Sequence, residues 1–168
     1  ARAREYEDAL EWLVRSGLVR RIRLVSKPGL PLKAYEDLTA FKVYVLDVGL
    51  LRRKARLPSE VYIDGDRMFT EFHGALTENY VLQSLSAQEF MSVNYWTSGN
   101  TAEVDFVLQF GTQIIPAEVK SAGNIRSRSL SVYTQKFNPS VRIRYSLNNL
   151  DFKGGLLNIP LFLADWTT

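Results

Sequence analysis

The 168-residue sequence contains no cysteine. This absence excludes a disulfide framework and a thiolate site, and it fits the reducing cytoplasm, where we expect the protein to reside. No apolar run approaches the roughly 20 residues needed to cross a bilayer, and no signal peptide opens the chain, so we expect no membrane partner. A zinc site is not expected either, because His73 is the only histidine.

A nucleotide-binding loop is also missing from the sequence. No G-x-x-x-x-G-K-[ST] pattern occurs, and Gly154-Gly155 is not followed by lysine. The chain opens with Ala-Arg-Ala-Arg rather than methionine, and its first predicted helix follows at once. We therefore expect a fragment of a longer protein, and we expect that this fragment does not itself bind ATP.

What is present is the composition of an ordinary globular domain. Hydrophobic residues make up 46% of the chain and charged residues 23%, and the length is sufficient to bury a core. The net charge of +3 permits a polyanionic partner without requiring one.

The first part of the chain has the pattern of half a winged-helix domain. Apolar residues at helical spacing predict a helix over residues 5–16 that ends at Gly17, and strands are predicted over residues 18–25 and 41–46. A helix followed by a two-stranded ribbon is the second half of a winged helix, so we assign residues 1–57 to a truncated winged-helix segment. The ribbon's basic residues either follow a phosphate backbone or solvate a sheet edge, and they are Arg15, Arg20, Arg21, Arg23, Lys27 and Lys33.

The remainder, residues 58–168, predicts a second domain in which helices and strands alternate. Helical spacing covers residues 72–88, and a strand is predicted over residues 91–96 before a hairpin. A second helix ends at Asn138-Pro139 and precedes a strand over residues 141–145, and an apolar piece over residues 159–163 follows.

The hairpin between Thr101 and Ser121 places charged residues opposite each other. Two strongly apolar runs flank Gly111-Thr112, which predicts a two-residue turn and places Asp105 opposite Glu118. Glu118 and Lys120 share a face because side chains alternate along a strand. Opposed carboxylates destabilise a sheet unless something offsets them, and a hard divalent cation beside Lys120 would do so. A longer loop would shift this register, and a solvated hairpin face is the alternative interpretation.

A further candidate is Glu78, which lies on the predicted helix over residues 72–88. The register Ala75, Glu78, Leu82 and Leu85 places its carboxylate on the apolar stripe. There it either faces the core or extends into solvent from the edge of the stripe.

At these residues the chain resembles a known family. Glu103 to Leu108, Glu-Val-Asp-Phe-Val-Leu, followed after the turn by Ile-Pro-Ala-Glu-Val-Lys-Ser, is similar to the core motif of the PD-(D/E)XK nuclease superfamily. With residues 42–51 and 74–79, the chain resembles more narrowly the C-terminal domain of unknown function that follows the ATPase module in many bacterial AAA-type proteins.

The resemblance implies an α/β fold with a restriction-endonuclease-like core, in which helices flank a mixed sheet. It implies that Asp105 and Glu118 bind Mg²⁺ or Mn²⁺ and that Lys120 assists the attacking water. It also implies that Glu78 orients a metal-bound water or binds a second ion. ATP would bind only to the upstream module.

Metal-dependent hydrolysis of DNA is the function we expect from this resemblance, with DNA and the upstream ATPase as partners. Basic residues after the hairpin would then hold phosphates, or else they are ordinary surface charge: Arg126, Arg128 and Lys136. Two functions from other classes stay open. One is a catalytically silent module that binds DNA or protein and regulates the ATPase, and the other is an oligomerisation or docking surface.

Overall fold

The structure, a computed structural model, describes residues 6–56, 70–88, 92–99, 101–121 and 127–167. The helices are α1 (Glu7–Arg15), α2 (Val48–Lys54), α3 (Thr70–Ser86) and α4 (Arg128–Phe137), with short 3₁₀ helices at Leu32–Tyr35 and Leu161–Trp166. The strands are β1 (Val19–Val25), β2 (Glu36–Val45), β3 (Ser92–Thr97), β4 (Glu103–Phe110), β5 (Gln113–Val119), β6 (Arg142–Ser146), β7 (Asp151–Lys153) and β8 (Leu156–Pro160).

The strands form one eight-stranded sheet in the order β2-β1-β3-β4-β5-β6-β8-β7. Strands β3, β4 and β5 run antiparallel, whereas β5, β6 and β8 run parallel. The antiparallel pair β1 and β2 joins the others through a parallel pairing of Leu24 with Tyr95. The predicted α/β class with a mixed sheet flanked by helices is confirmed.

Alternating side chains of the central strands face two separate cores. Phe106 and Leu108 of β4 lie in the core beneath α3, whereas Val107 lies in the core beneath α4. This alternation is the two-residue period of a strand buried on both faces. The hairpin that carries the predicted motif therefore lies between two helices, in the middle of the sheet.

The ends of α1 and α4 and the hairpin turn lie where the sequence predicts them. The first helix is followed by Gly17 at φ +74°, and α4 is followed by Asn138 in the left-handed region at φ 46°. Phe110 pairs with Gln113 as predicted, so the two-residue turn is confirmed. None of the helices in the described ranges is long and apolar enough to cross a membrane.

Several elements differ from the prediction, and strand β7 and the 3₁₀ helix at Leu32–Tyr35 are among those not predicted. Strand β2 begins at Glu36 rather than residue 41, because a register shift between Arg23 and Leu24 lets it continue past an irregularity. Helix α2 was not predicted, and Asp47 begins it by accepting a hydrogen bond from the Leu50 amide at 2.9 Å. The apolar piece over residues 159–163 is the end of β8 and the start of a 3₁₀ helix.

Some predictions fall outside the described residues. These are the boundary between residues 57 and 58, the start of a strand at Met91, and Arg126. The winged-helix interpretation of residues 1–57 also stays a prediction, although a helix followed by an antiparallel ribbon is observed there.

Candidate functional site

The hairpin opens at the residues that the sequence singles out. The ladder between β4 and β5 runs from Phe110–Gln113 at the turn to Phe106–Ala117. It therefore ends at the residue that follows Asp105 in the chain. The side chain of Asp105 replaces the next backbone contact, since its Oδ2 atom accepts a hydrogen bond from the Val119 amide at 2.8 Å. The predicted register is correct as far as Phe106–Ala117, and the predicted pair of Asp105 and Glu118 lies beyond the end of the ladder.

Asp105 lies in an environment that disfavours its negative charge. Loss of water around the carboxyl is the main cause that raises its pKa to about 7, and the charge of Glu78 is the next. Glu118 adds a smaller contribution in the same direction, while the Val119 amide and Lys42 oppose it. Asp105 is therefore a buried carboxyl on which the other two predicted acids, Glu78 and Glu118, both act.

Glu118 is the most deeply buried of the acids, with 4% of its surface exposed. Its Oε1 atom lies 2.7 Å from the Lys120 Nζ, so the predicted common face of these two residues is confirmed. Its Oε2 atom accepts a hydrogen bond from the hydroxyl of Ser127, the N-cap residue of α4. Both carboxylate oxygens of Glu118 thus have a donor within the protein.

Glu78 faces the protein interior from α3 and is half-buried. Burial raises the pKa of Glu78, while Lys42 and Tyr44 act to lower it. The Tyr44 hydroxyl donates a hydrogen bond to Glu78 Oε2 at 3.2 Å. The predicted stripe is correct at Leu82 and Leu85 but wrong at Ala75, which is exposed, because the apolar face begins at Leu76 instead.

Two residues of β2 join this cluster without having been predicted. Lys42 forms an ion pair and hydrogen bond with Glu103, and its charge also interacts with those of Glu78 and Asp105. Burial alone would lower the pKa of Lys42, but the hydrogen bond and charge of Glu103, with Glu78 and Asp105, raise it. Lys42 and Tyr44 are two residues apart on β2, as Glu103 and Asp105 are on β4. Polar residues with a two-residue period in apolar strands were the available signal.

The donor chemistry of the site suits a hard divalent cation, but its arrangement is not that of a formed metal site. Three carboxylates are the ligands that Mg²⁺ and Mn²⁺ prefer, and burial together with the charge of Glu78 raises the pKa of Asp105. Within the described parts of the chain, however, no group of three or more His, Cys, Asp or Glu side chains is arranged to hold a metal ion. Lys120 and Ser127 instead occupy the oxygens of Glu118.

Several of the basic residues that were candidates for phosphate contacts have partners within the protein. Arg21 pairs with Glu11 at 2.8 Å, and Arg23 lies 3.6 Å from Glu36. Lys136 of α4 lies over the Trp96 ring at 5.5 Å. These contacts favour the structural interpretation for these three residues.

Models of two protein families match the chain. The model of the domain of unknown function DUF8612 matches residues 1–60, which contain Lys42 and Tyr44. The model of the domain of unknown function DUF4143 matches residues 73–162, which contain Glu78, Asp105, Glu118 and Lys120. No curated protein and no solved structure matches the chain significantly. Because the second match covers more than half of the 168 residues, the chain belongs to the DUF4143 family.

Proposed function

We propose that this chain carries a metal-dependent nuclease domain that hydrolyses phosphodiester bonds in DNA. The observation that supports it is the convergence of Glu78, Asp105 and Glu118 beside Lys120. Burial and neighbouring negative charge raise the pKa of Asp105, and strongly perturbed acids cluster at functional sites. A bound cation would offset the repulsion among these carboxylates.

The surrounding fold is compatible with this proposal. The helix α3 precedes three antiparallel strands, of which β4 and β5 carry the motif, and α4 and β6 follow. This is the order of a restriction-endonuclease-like core, which we propose for residues 58–168. We also propose that this fragment follows an AAA-type ATPase in a longer cytoplasmic protein.

In this mechanism Glu78, Asp105 and Glu118 would hold Mg²⁺ or Mn²⁺. The ion, when bound, supplies positive charge that stabilises the transition state and acidifies the attacking water. Asp105 is oriented by the Val119 amide, and Glu118 by the Ser127 hydroxyl. The Lys120 ammonium lies 2.7 Å from Glu118 and would orient the attacking water by donating a hydrogen bond.

A second candidate function is a catalytically silent module that binds DNA or protein and regulates the upstream ATPase. The observation that favours it is that Lys120 and Ser127 already engage both oxygens of Glu118. A carboxylate that is neutralised internally has less need of an external cation. In this alternative the motif contributes to the stability of the fold and binds no metal.

Calorimetric titration with Mn²⁺ separates the two functions, combined with an assay of Mg²⁺-dependent cleavage of duplex and single-stranded DNA. For the nuclease we expect binding below millimolar concentration, and we expect Asp105→Ala and Glu118→Ala to abolish cleavage. Asp151→Ala is the matched control, because Asp151 is exposed on β7 at the far edge of the sheet. Absence of binding at millimolar metal favours the silent module, and undiminished cleavage by Asp105→Ala places the activity elsewhere.

A further inference from the structure

Residues of the N-terminal segment reach the acidic cluster across the sheet. Strand β2 is at the edge, and β1 and β3 lie between it and β4. The Tyr44 hydroxyl nevertheless bonds Glu78, and the Tyr44 ring lies 6.1 Å from the Phe106 ring, centroid to centroid. Lys42, two residues earlier on the same face, pairs with Glu103. The cluster is therefore built from both matched segments of the chain.

We propose that Tyr44 and Lys42 are positioning residues that complete the metal site from the N-terminal segment. Tyr44 would hold the Glu78 carboxylate in place, and Lys42 would balance the negative charge of Glu103 and Asp105. This inference rests on the proposed function, because it concerns how the same carboxylates are presented to a divalent ion.

The contact between Tyr44 and Glu78 constrains a flexible side chain. Tyr44 is 8% exposed, and burial together with the charges of Glu78 and Asp105 raises its pKa, so the phenol stays protonated and acts as a donor. A buried hydroxyl without a partner is destabilising, which favours the bonded rotamer of Glu78. Oε2 of Glu78 is held in this way, and among the described residues none donates a hydrogen bond to its Oε1. One oxygen of Glu78 is thus anchored by Tyr44.

Neighbouring contacts fix the position of Tyr44 relative to α3. Asn79 accepts a hydrogen bond from the Val45 amide at 2.9 Å and donates one to the Val45 carbonyl at 3.0 Å. Gln83, one turn further along α3, accepts a hydrogen bond from the Val48 amide at 3.0 Å. The helix is therefore bonded directly to the backbone that follows Tyr44, so displacement of this end of β2 would displace Glu78 as well.

Lys42 provides a positive charge beside the cluster in addition to that of Lys120. Its ammonium lies 5.1 Å from the centre of the Tyr95 ring, which limits its freedom, and it interacts with Glu78 and Asp105 as well as Glu103. Without a nearby positive charge, the four carboxylates would repel one another in the absence of a bound ion. They are Glu78, Glu103, Asp105 and Glu118. Lys42 reduces this repulsion without removing a carboxylate that would bind the ion.

The test is the Mn²⁺ affinity of Tyr44→Phe, measured by calorimetry on the whole chain. The substitution removes only the hydroxyl and keeps the ring against Phe106. Partners that orient metal ligands typically contribute 10–100-fold in affinity, so we expect a weakening of about that size. Tyr145→Phe is the matched control, since it removes another buried phenol hydroxyl, which lies 2.9 Å from that of Thr167, and we expect its Mn²⁺ affinity to equal that of the wild type.

The outcomes separate this inference from the proposed function. Unchanged affinity in Tyr44→Phe, with weakened affinity in Glu78→Gln, overturns the positioning role and leaves the nuclease proposal standing. Absence of Mn²⁺ binding by the wild type overturns both. For Lys42, we expect Lys42→Met to weaken binding and Lys42→Arg to restore it. Equal loss in both variants would overturn the role of its charge.

Discussion

The two helices that cover the sheet are held by different interactions. Below α4, Leu130 and Tyr133 pack with Trp96 in a layer of apolar and aromatic side chains. Below α3, an apolar row of Leu82 and Leu85 is accompanied by polar side chains that bond to β2 and α2. The comparison teaches that the α4 layer contributes mainly stability, whereas the α3 layer also balances the charge that the candidate site requires.

The largest effect is expected from removing Trp96 from the α4 layer. Trp96 is 1% exposed and lies edge-to-face against Tyr133 and Phe137, with ring centroids 5.2 and 5.5 Å apart. Trp96→Ala leaves a cavity and should lower the free energy of unfolding by about 3–5 kcal/mol, measured by urea denaturation. The control is Trp166→Ala. Because Trp166 is 79% exposed, this substitution should change the free energy of unfolding by no more than about 0.5 kcal/mol. A loss below about 1 kcal/mol in Trp96→Ala would contradict the stabilising role of this layer.

The next effect has the opposite sign and concerns the α3 side. The pKa of Asp105 is about 7 in the folded protein, against a usual value of 3.8, so the folded state binds the proton more tightly. Stability conferred by the protonated form is present at low pH and is lost as the pH rises from about 4 to 7. Asp105→Asn, which cannot ionise, should therefore be more stable than the wild type at about pH 8, by at most about 4 kcal/mol.

The measurement is urea denaturation in a metal chelator at about pH 4 and pH 8, with the gain expected only at the higher pH. Asp37→Asn is the control, because hydrogen bonds from the Thr39 side chain and amide lower the pKa of the exposed Asp37. This variant should gain nothing at pH 8. Destabilisation of Asp105→Asn at pH 8 would show that the acids are compensated within the protein.

Features encoded by neighbouring residues were predictable from the sequence. Helix α4 has its N-cap at Ser127 and its stop at Asn138, and the register of the hairpin follows from the turn at Gly111. The positions of Asp105, Glu118 and Lys120 follow from that register. Local spacing alone therefore located four of the candidate residues, since the helical stripe of α3 also indicated Glu78.

Features that depend on distant residues were not predictable in this way. Tyr44 is 34 residues before Glu78, and nothing in the helical spacing of α3 indicates which strand its carboxylate meets. Helix α2 has seven residues, and its first amide bonds Gln83 of α3, so a tertiary contact supports it. The paired strands β7 and β8 meet through a turn in which Gly154 and Gly155 both have positive φ. Such short elements owe their stability to packing rather than to propensity.

A smaller effect is expected where α3 joins the N-terminal segment. Asn79 is 2% exposed, and Asn79→Ala removes both hydrogen bonds to Val45. The loss should lower the free energy of unfolding by about 2 kcal/mol and speed hydrogen exchange at the Val45 amide. Asn149→Ala is the control, since Asn149 is exposed and should change stability by less than about 0.5 kcal/mol. Unaltered exchange at Val45 would show that β2 is held independently of α3.

The smallest effect tests where the two layers meet. The Ser127 Oγ accepts a hydrogen bond from the Leu130 amide at 3.2 Å, which caps α4, and its hydroxyl donates to Glu118. Ser127→Ala should lower the free energy of unfolding by about 1 kcal/mol, as loss of an N-cap does. On the same helix, Ser131 bonds only the Ser127 carbonyl, so Ser131→Ala should be neutral within about 0.5 kcal/mol. If Ser127→Ala also weakens Mn²⁺ binding while Ser131→Ala does not, the cap of α4 helps to orient Glu118. An unchanged metal affinity would mean that α4 stabilises the sheet without acting on the site, and the division between the two layers would then be complete.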